Sequence, residues 1–261
     1  MPYPALEILD RVPSTMDMAR TRIQQGVVRL EEERPTPFTG LLAREQTAGR
    51  GQRGRVWNSR AGASLCATFY FRHGFDLPAE LGVVALLAGV AAAATLTAEA
   101  AASDSTADIG LKWPNDILIN GKKAGGILIE TTRTPDGKTV ALIGIGINLS
   151  AGSFPPELAS TATTLEAADI CASDPTLLAA SLAEALQEQA DLFQRYGQTD
   201  LMARWRTLDR TVGRRFHTER DSVLLTGIAE GIDENGRLLL RLSDQTCLAV
   251  GSASTLQERV S

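Results

Sequence analysis

Ile109-Gly-Leu-Lys-Trp-Pro-Asn-Asp-Ile-Leu-Ile-Asn-Gly-Lys-Lys-Ala-Gly-Gly-Ile-Leu-Ile129 is the stretch on which the fold turns. Ile109 to Trp113 has the apolar and aromatic composition of a strand, and Pro114-Asn115-Asp116 breaks it. Ile117 to Ile119 and Gly126 to Ile129 then flank Asn120-Gly121, a dipeptide that accepts the positive φ angles of a tight hairpin turn. Pro135-Asp136-Gly137 supplies a second turn before the apolar run Val140 to Ile147. Strands joined by connections this short pair with their neighbours, so the segment predicts an antiparallel meander.

Upstream, Thr39 to Ala43 and Ser64 to Arg72 read as further strands. Ser14 predicts a helix N-cap with Asp17 as a short capping-box partner and Gly26 as the stop. Leu81 to Ala98 runs without a charge, long enough to raise a membrane span. Seven of its residues are alanine and Glu80 and Glu99 flank it, so a buried helix packed closely on a sheet, starting near Pro78, is the better reading. Downstream, Pro175 to Tyr196 predicts an amphipathic helix capped by Asp174 or Ser173 and stopped by Gly197, with a shorter helix over Asp200 to Leu208. After Asp209 the chain turns to short β runs, Ser222 to Ile232, Arg237 to Leu242 and Thr246 to Val250, with Asn235-Gly236 as a turn. The expected fold is α+β: a mixed, largely antiparallel sheet packed by helices over residues 1–209, and a small SH3-like β-barrel over 212–261.

The 261 residues carry a net charge of −5, which argues against general nucleic-acid binding. Cys66, Cys171 and Cys247 are scattered and read as small side chains in a reducing cytoplasm. His73 and His217 are the only histidines, too few for a His-rich metal site, and no nucleophile-elbow sequence supports a serine triad. Met1 to Arg11 lacks the basic start and apolar run of a signal peptide.

Against that acidic background, Ala43-Arg-Glu-Gln-Thr-Ala-Gly-Arg-Gly-Gln-Arg-Gly-Arg-Val-Trp-Asn-Ser-Arg60 holds five arginines and one acid. A local cation cluster on an acidic chain suits a small anion, and forked guanidinium groups on a pliable backbone suit phosphate or carboxylate. The alternative is an exposed turn with solvated arginines. Gly49-Arg-Gly51-Gln-Arg-Gly54 matches the dinucleotide fingerprint in letters only. That fingerprint needs a helix directly after the glycines, whereas Arg55 to Gly62 has no helical period and Asp76 follows a strand. A P-loop is excluded because no Gly-Lys-Ser/Thr ending follows.

Lys112 falls on the opposite strand face from Leu111 and Trp113, either as a solvated edge charge or as a cation aimed at a ligand. Asn115 and Asp116 suit the turn backbone, water or a metal, the turn role being commonest. Gly125-Gly126 and Gly144-Ile-Gly-Ile-Asn148 place glycines on adjacent strands. Each alone fits sheet packing; together they read as one ligand-sized depression.

These residues in this order resemble the bacterial biotin protein ligases. Ser14-Thr15, Gln46 to Trp57, Lys112 to Asp116, Lys123-Ala-Gly-Gly-Ile-Leu128 and Gly144 to Asn148 follow that family's order and spacing across Ser14 to Ser150. The resemblance implies a catalytic domain like those of class II aminoacyl-tRNA synthetases and biotin ligases. It implies that biotin and ATP give biotinyl-5′-AMP, with Mg²⁺ on the phosphates, and that biotin passes to a lysine of a carboxylase's carrier domain. By the same resemblance Ser14, Thr15, Met16, Gln46, Arg50, Gly51, Gln52, Lys112, Gly125 and Gly126 fall to biotin. Arg50, Arg53, Arg55, Trp57, Lys112, Asn115 and Asn148 fall to ATP and the adenylate, with Lys112 and Arg50 as catalytic groups. Met16 stands where the family often has asparagine, and Gln52 where many members carry arginine. Only thirteen residues precede Ser14, so the expectation is a ligase without the DNA-binding domain of its repressor relatives. A lipoate–protein ligase and a non-catalytic biotin or nucleotide sensor are the competing expectations. A homodimer is allowed, since edge strands suited to pairing and capped ones read alike.

Overall fold

The computed structural model describes residues 6–27, 39–58, 60–71, 81–171, 174–220, 223–251 and 256–258. Pro78, Asp76, Ser173 and Ser222, singled out above, lie outside the described residues. In chain order the elements are β1 (Leu6–Val12), α1 (Thr15–Gln24), β2 (Thr39–Gln46), β3 (Ser64–Phe71), α2 (Leu81–Ala102), β4 (Ile109–Lys112), β5 (Asp116–Ile119), β6 (Lys122–Arg133), β7 (Thr139–Asn148) and α3 (Pro175–Leu208). A second set follows: β8 (Arg215–Arg220), β9 (Val223–Ile232), β10 (Leu238–Leu242), β11 (Cys247–Val250) and β12 (Leu256–Glu258).

The meander forms as the turns dictate. Asn120 and Gly121 take φ of 50° and 76°, and β4, β5, β6 and β7 pair antiparallel in sequence order. The seven strands lie in the order β1-β2-β3-β7-β6-β5-β4. β1 pairs with β2 in parallel, which makes the sheet mixed.

Alternation along β7 sends Ile143, Ile145 and Ile147 to one face, where α2 and α3 cover them. Leu142 and Val140 go to the other, where Met16, Ala19 and Ile23 of α1 pack. α1 begins where Ser14 Oγ accepts from the Asp17 backbone N–H at 3.3 Å. By length and composition α2 has the makings of a membrane span, but two thirds of its most apolar window (67%) is buried. Alanine favours the helix and keeps its girth small, so α3 lies close against it. α3 is two helices: Gly197, at φ 75° and ψ −169°, takes a conformation closed to other residues and breaks the run where the sequence predicted.

The C-terminal strands form a separate antiparallel sheet, β11-β10-β9-β8-β12. Among the described residues its end strands β11 and β12 do not pair, so the expected barrel is an open sheet. It is not insulated from the rest: Phe216, Ala229, Ile232, Leu238 and Leu240 join the same buried cluster as α2 and α3.

Candidate active site

α1 covers only part of its face of the large sheet. The remainder is a cavity of about 680 Å³, floored by β3, β6 and β7, roofed by the 47–58 segment, and walled by the β4–β5 turn and by residues 153–162. Its floor is flat because Gly126 and Gly146 are direct cross-strand partners and Gly144 lies two residues away. The indole of Trp57 comes down on this floor, beside Gly126 and against Gly146.

The roof is a small hairpin rather than a slack loop. Gly51 N–H donates to the Arg55 carbonyl (2.7 Å), Trp57 N–H donates to the Gly49 carbonyl (2.9 Å), and Arg50 bridges Val56. Its tip, Gln52 to Gly54, turns with Arg53 at φ 59°. A short turn followed by β3, with no α-helix, stands where a dinucleotide fold needs a helix.

At one end of the cavity hydroxyls and an amide converge. Thr68 Oγ1 donates to Thr15 Oγ1 (2.8 Å), which donates to Gln46 Oε1 (3.1 Å); the same oxygen accepts from the Thr15 backbone N–H (2.7 Å). Ser14, Thr15 and Thr68 are all buried. Buried groups of this kind must be paired, and a ligand able to donate and accept completes the set.

At the other end Asp116 sits between two lysines, 3.0 Å from Lys112 Nζ and in contact with Lys123 Nζ. Burial pushes the Asp116 carboxyl up, but Lys123 and then Lys112 outweigh it and hold it below the usual carboxylate range. The site therefore carries two cations against one anion, a surplus of positive charge in a half-buried place. Arg53 adds to it: though exposed, its guanidinium is partly desolvated by the hairpin and then repelled by the neighbouring Arg55, and both lower its pKa. Arg50 points elsewhere, donating to Asp17 (2.5 Å) and Glu130 (3.1 Å). Burial works against its charge, but these two acids overcome that and raise its pKa above the ordinary arginine value.

Ser14, Thr15, Met16, Gln46, Arg50, Gly51, Gln52, Arg53, Arg55, Trp57, Lys112, Asn115, Gly126 and Asn148 all line the one cavity. Gly125 does not, and its expected place beneath a ligand is corrected. It faces the other way, where a Cβ would stand 2.7 Å from the Gly146 carbonyl and 3.1 Å from Ile117 Cδ1, so close strand packing is what requires glycine there. Asn115 holds the turn, its side-chain amide donating to the Ile127 carbonyl at 2.7 Å. Asn148 donates to the Thr163 carbonyl at 3.1 Å and so fixes the 153–162 wall.

Sequence reasoning passed over Thr68, Lys123, Phe154, Leu158 and Phe216, which also line the cavity. Thr68 had a signal, a polar residue inside an apolar strand. Lys123 lay within a quoted motif but was given no role. Phe216 comes from the C-terminal sheet, and the segment leading into that sheet and its β9–β10 turn grip the β4–β5 turn: Trp113 N–H donates to Thr211 Oγ1 (2.8 Å) and its indole N–H to the Gly236 carbonyl (2.9 Å).

A mixed sheet with this cavity and a small C-terminal sheet is the architecture of the protein ligases that handle small cofactor acids. The chain belongs to the Biotin/lipoate A/B protein ligase family, whose profile matches residues 10–150; that of the biotin protein ligase C-terminal domain matches residues 215–260. It is 35% identical over 206 residues to the biotin–[acetyl-CoA-carboxylase] ligase of Paracoccus denitrificans, covering 77% of this chain and 83% of that one. It is 32% identical over 215 residues to the bifunctional ligase/repressor BirA of Bacillus spizizenii, covering 79% of this chain and only 62% of that longer protein. Among solved structures, the biotin protein ligase from Aquifex aeolicus in complex with biotin and ATP superposes with a TM-score of 0.77 over 98% of this chain and 99% of that one, at 22% identity.

Proposed function

We propose that the chain is an ATP-dependent ligase that joins biotin to a lysine of a carboxylase's carrier domain. The observation that carries this reading is the cavity's polarity: hydroxyls and an amide at one end, surplus cations at the other, and a glycine floor between. A molecule with a hydrogen-bonding head, an apolar body and a carboxylate tail fits that order. Biotin's ureido group would meet Thr15, Gln46, Ser14 and Thr68, and its carboxylate would reach Lys112 and Lys123.

In the first step a biotin carboxylate oxygen attacks the α-phosphorus of ATP. The α–β anhydride bond breaks, and pyrophosphate leaves with the electron pair. Lys112, Lys123, Arg53 and Arg55 supply fixed positive charge where the phosphorane develops negative charge. In the second step the carrier's neutral lysine amine attacks the acyl carbon, AMP leaves, and the amine's proton goes to solvent. The Gly/Arg hairpin above the cavity shields the anhydride from water between the two steps. Mg²⁺ would arrive on the nucleotide's phosphates. Among the described residues no cluster of three or more His, Cys, Asp or Glu could hold a resident ion, and Asp116 is already matched by two lysines. In this reading residues 1–209 carry the chemistry and 212–261 form the small unit that closes the Trp113 corner.

Lipoate is the runner-up acid, because the family's own description spans both. Its dithiolane offers nothing to the buried hydroxyls of Thr15 and Thr68, and a site built to hydrogen-bond a substrate rejects one that cannot. The test is biotin-dependent ATP–pyrophosphate exchange together with label transfer to a biotin carrier domain. Both are expected; the absence of both rejects the reading, and exchange driven by lipoate alone replaces it with the runner-up. A sensor would bind biotin, more weakly in Lys112→Ala, but show no exchange in either protein.

A further inference from the structure

We propose that Asp17 and Glu130 form an acidic latch that holds the Gly/Arg hairpin, through Arg50, down over the cavity. The two acids come from different elements: Asp17 from the first turn of α1 and Glu130 from β6. Arg50 Nη2 lies 2.5 Å from Asp17 Oδ1 and Arg50 Nη1 lies 3.1 Å from Glu130 Oε1, so one guanidinium spans both. Glu130 is itself fixed from behind by Arg20, which also donates to the Thr131 carbonyl at 3.0 Å.

The tip of the hairpin is turned to solvent. Arg53, Gly54, Arg55 and Val56 are exposed, Val56 by 73%. Trp57 anchors one limb of the hairpin on the glycine floor, and Arg50 anchors the other. The two anchors differ in kind: the indole's is packing, whereas Arg50's is electrostatic and so sensitive to charge and salt.

Arg50 therefore does its work by holding, and Asp17 and Glu130 are positioning residues that act through it. With both Nη atoms engaged by carboxylates, the guanidinium sets how long the roof stays shut. The latch stands on geometry alone. Its consequence, slower escape of an acyl-adenylate, rests on the proposed ligase function.

The two parts are tested separately. Arg53 and Arg55 are exposed, but trypsin needs an extended backbone, which the turn held by the Gly51–Arg55 and Gln52–Arg55 backbone bonds denies it, so cleavage there follows the population in which the hairpin has opened. Arg50 is 40% exposed, Asp17 51% and Glu130 23%, so each pair is of the partly screened kind. Asp17→Asn in the free protein should raise the cleavage rate about 2- to 5-fold and Glu130→Gln by as much or more. Asp17→Glu, which keeps the charge, should return the rate to that of the wild type. Unchanged cleavage in both neutral variants, with unfolding midpoints like the wild type's, overturns the latch.

The second arm uses full-length protein loaded with biotin and MgATP, freed of excess ligand, and followed for release of biotinyl-5′-AMP. Faster release in Asp17→Asn, with the KM for biotin in pyrophosphate exchange changed less than the release rate, is the expected split. Faster trypsin cleavage without faster release keeps the latch and rejects its role in retention. No adenylate formed even by the wild type rejects the ligase reading, while the trypsin result still decides the latch.

Discussion

Trp57 lies flat against Gly146: a Cβ built on that glycine would stand 2.5 Å from the indole Cε2 and 2.6 Å from Cζ2. The glycine on β7 is thus what lets the hairpin's aromatic anchor reach the floor of the cavity. Any side chain at position 146 must lift the ring, because β7 is locked between β3 and β6 and cannot retreat.

Gly146→Ala should therefore displace Trp57 and with it the surface offered to the nucleotide base. An overpacked contact costs about 1–3 kcal/mol, so the KM for ATP in pyrophosphate exchange should rise about 5- to 150-fold. Exchange kinetics check this, with tryptophan fluorescence reporting the move, since the other two indoles, Trp113 and Trp205, are buried in the core.

Lys112→Ala removes a fixed cation from the developing phosphorane. Exchange should slow about 100- to 1000-fold in kcat. Biotin affinity, measured by calorimetry without ATP, should fall far less, because Lys123 still faces the carboxylate.

Asp116 ties acid sensitivity to the site. Its carboxyl is held below its ordinary pKa, so the stability it contributes is full above about pH 4, the ordinary aspartate value, and is lost as pH falls through the lower folded value. Asp116→Asn leaves two lysines without their shared counter-charge and should cost about 3 kcal/mol at neutral pH, the low end for breaking a buried pair because Lys123 is partly exposed. Urea titrations of both proteins should show that gap constant from pH 7 to about 5 and narrowing toward pH 3.

Thr68→Val deletes the hydroxyl that donates to Thr15. A net hydrogen bond in a buried chain is worth about 0.5–1.5 kcal/mol, so the KM for biotin should rise about 2- to 12-fold with kcat little changed. The KM for ATP is the control and should not move.

The parts of this picture that sequence reasoning reached are those governed by local chemistry. Asn120-Gly121 fixed a hairpin, Gly197 ended a helix, and Ser14 began one, each for a reason contained in a few residues. Gly144 and Gly146 pointed to a depression only when read together with the glycines of the adjacent strand, since either pair alone fits sheet packing.

What was missed depends on partners distant in sequence. β1 alternates Leu6, Ile8 and Val12, but it is a short edge strand with charges between, and its pairing to β2 in parallel needs α1 as a crossover. β8 hides Phe216 in a run of charged residues. The 153–162 wall has no motif, and its place comes from backbone bonds to Lys123, whose N–H donates to the Thr161 carbonyl at 2.8 Å. Gly125 and Gly126 read alike as neighbours, yet the pleat sends one into the sheet packing and the other into the cavity. Nor does the sequence show that Arg50 would be held by acids on α1 and β6.

The most direct test of the central claim is a single-turnover reaction of the full-length protein with equimolar biotin and lipoate and excess MgATP, quenched and analysed by mass spectrometry. Biotinyl-5′-AMP is expected as the bound product, with one pyrophosphate released for each adenylate formed. A predominance of lipoyl-AMP, or no adenylate of either acid, would contradict the claim.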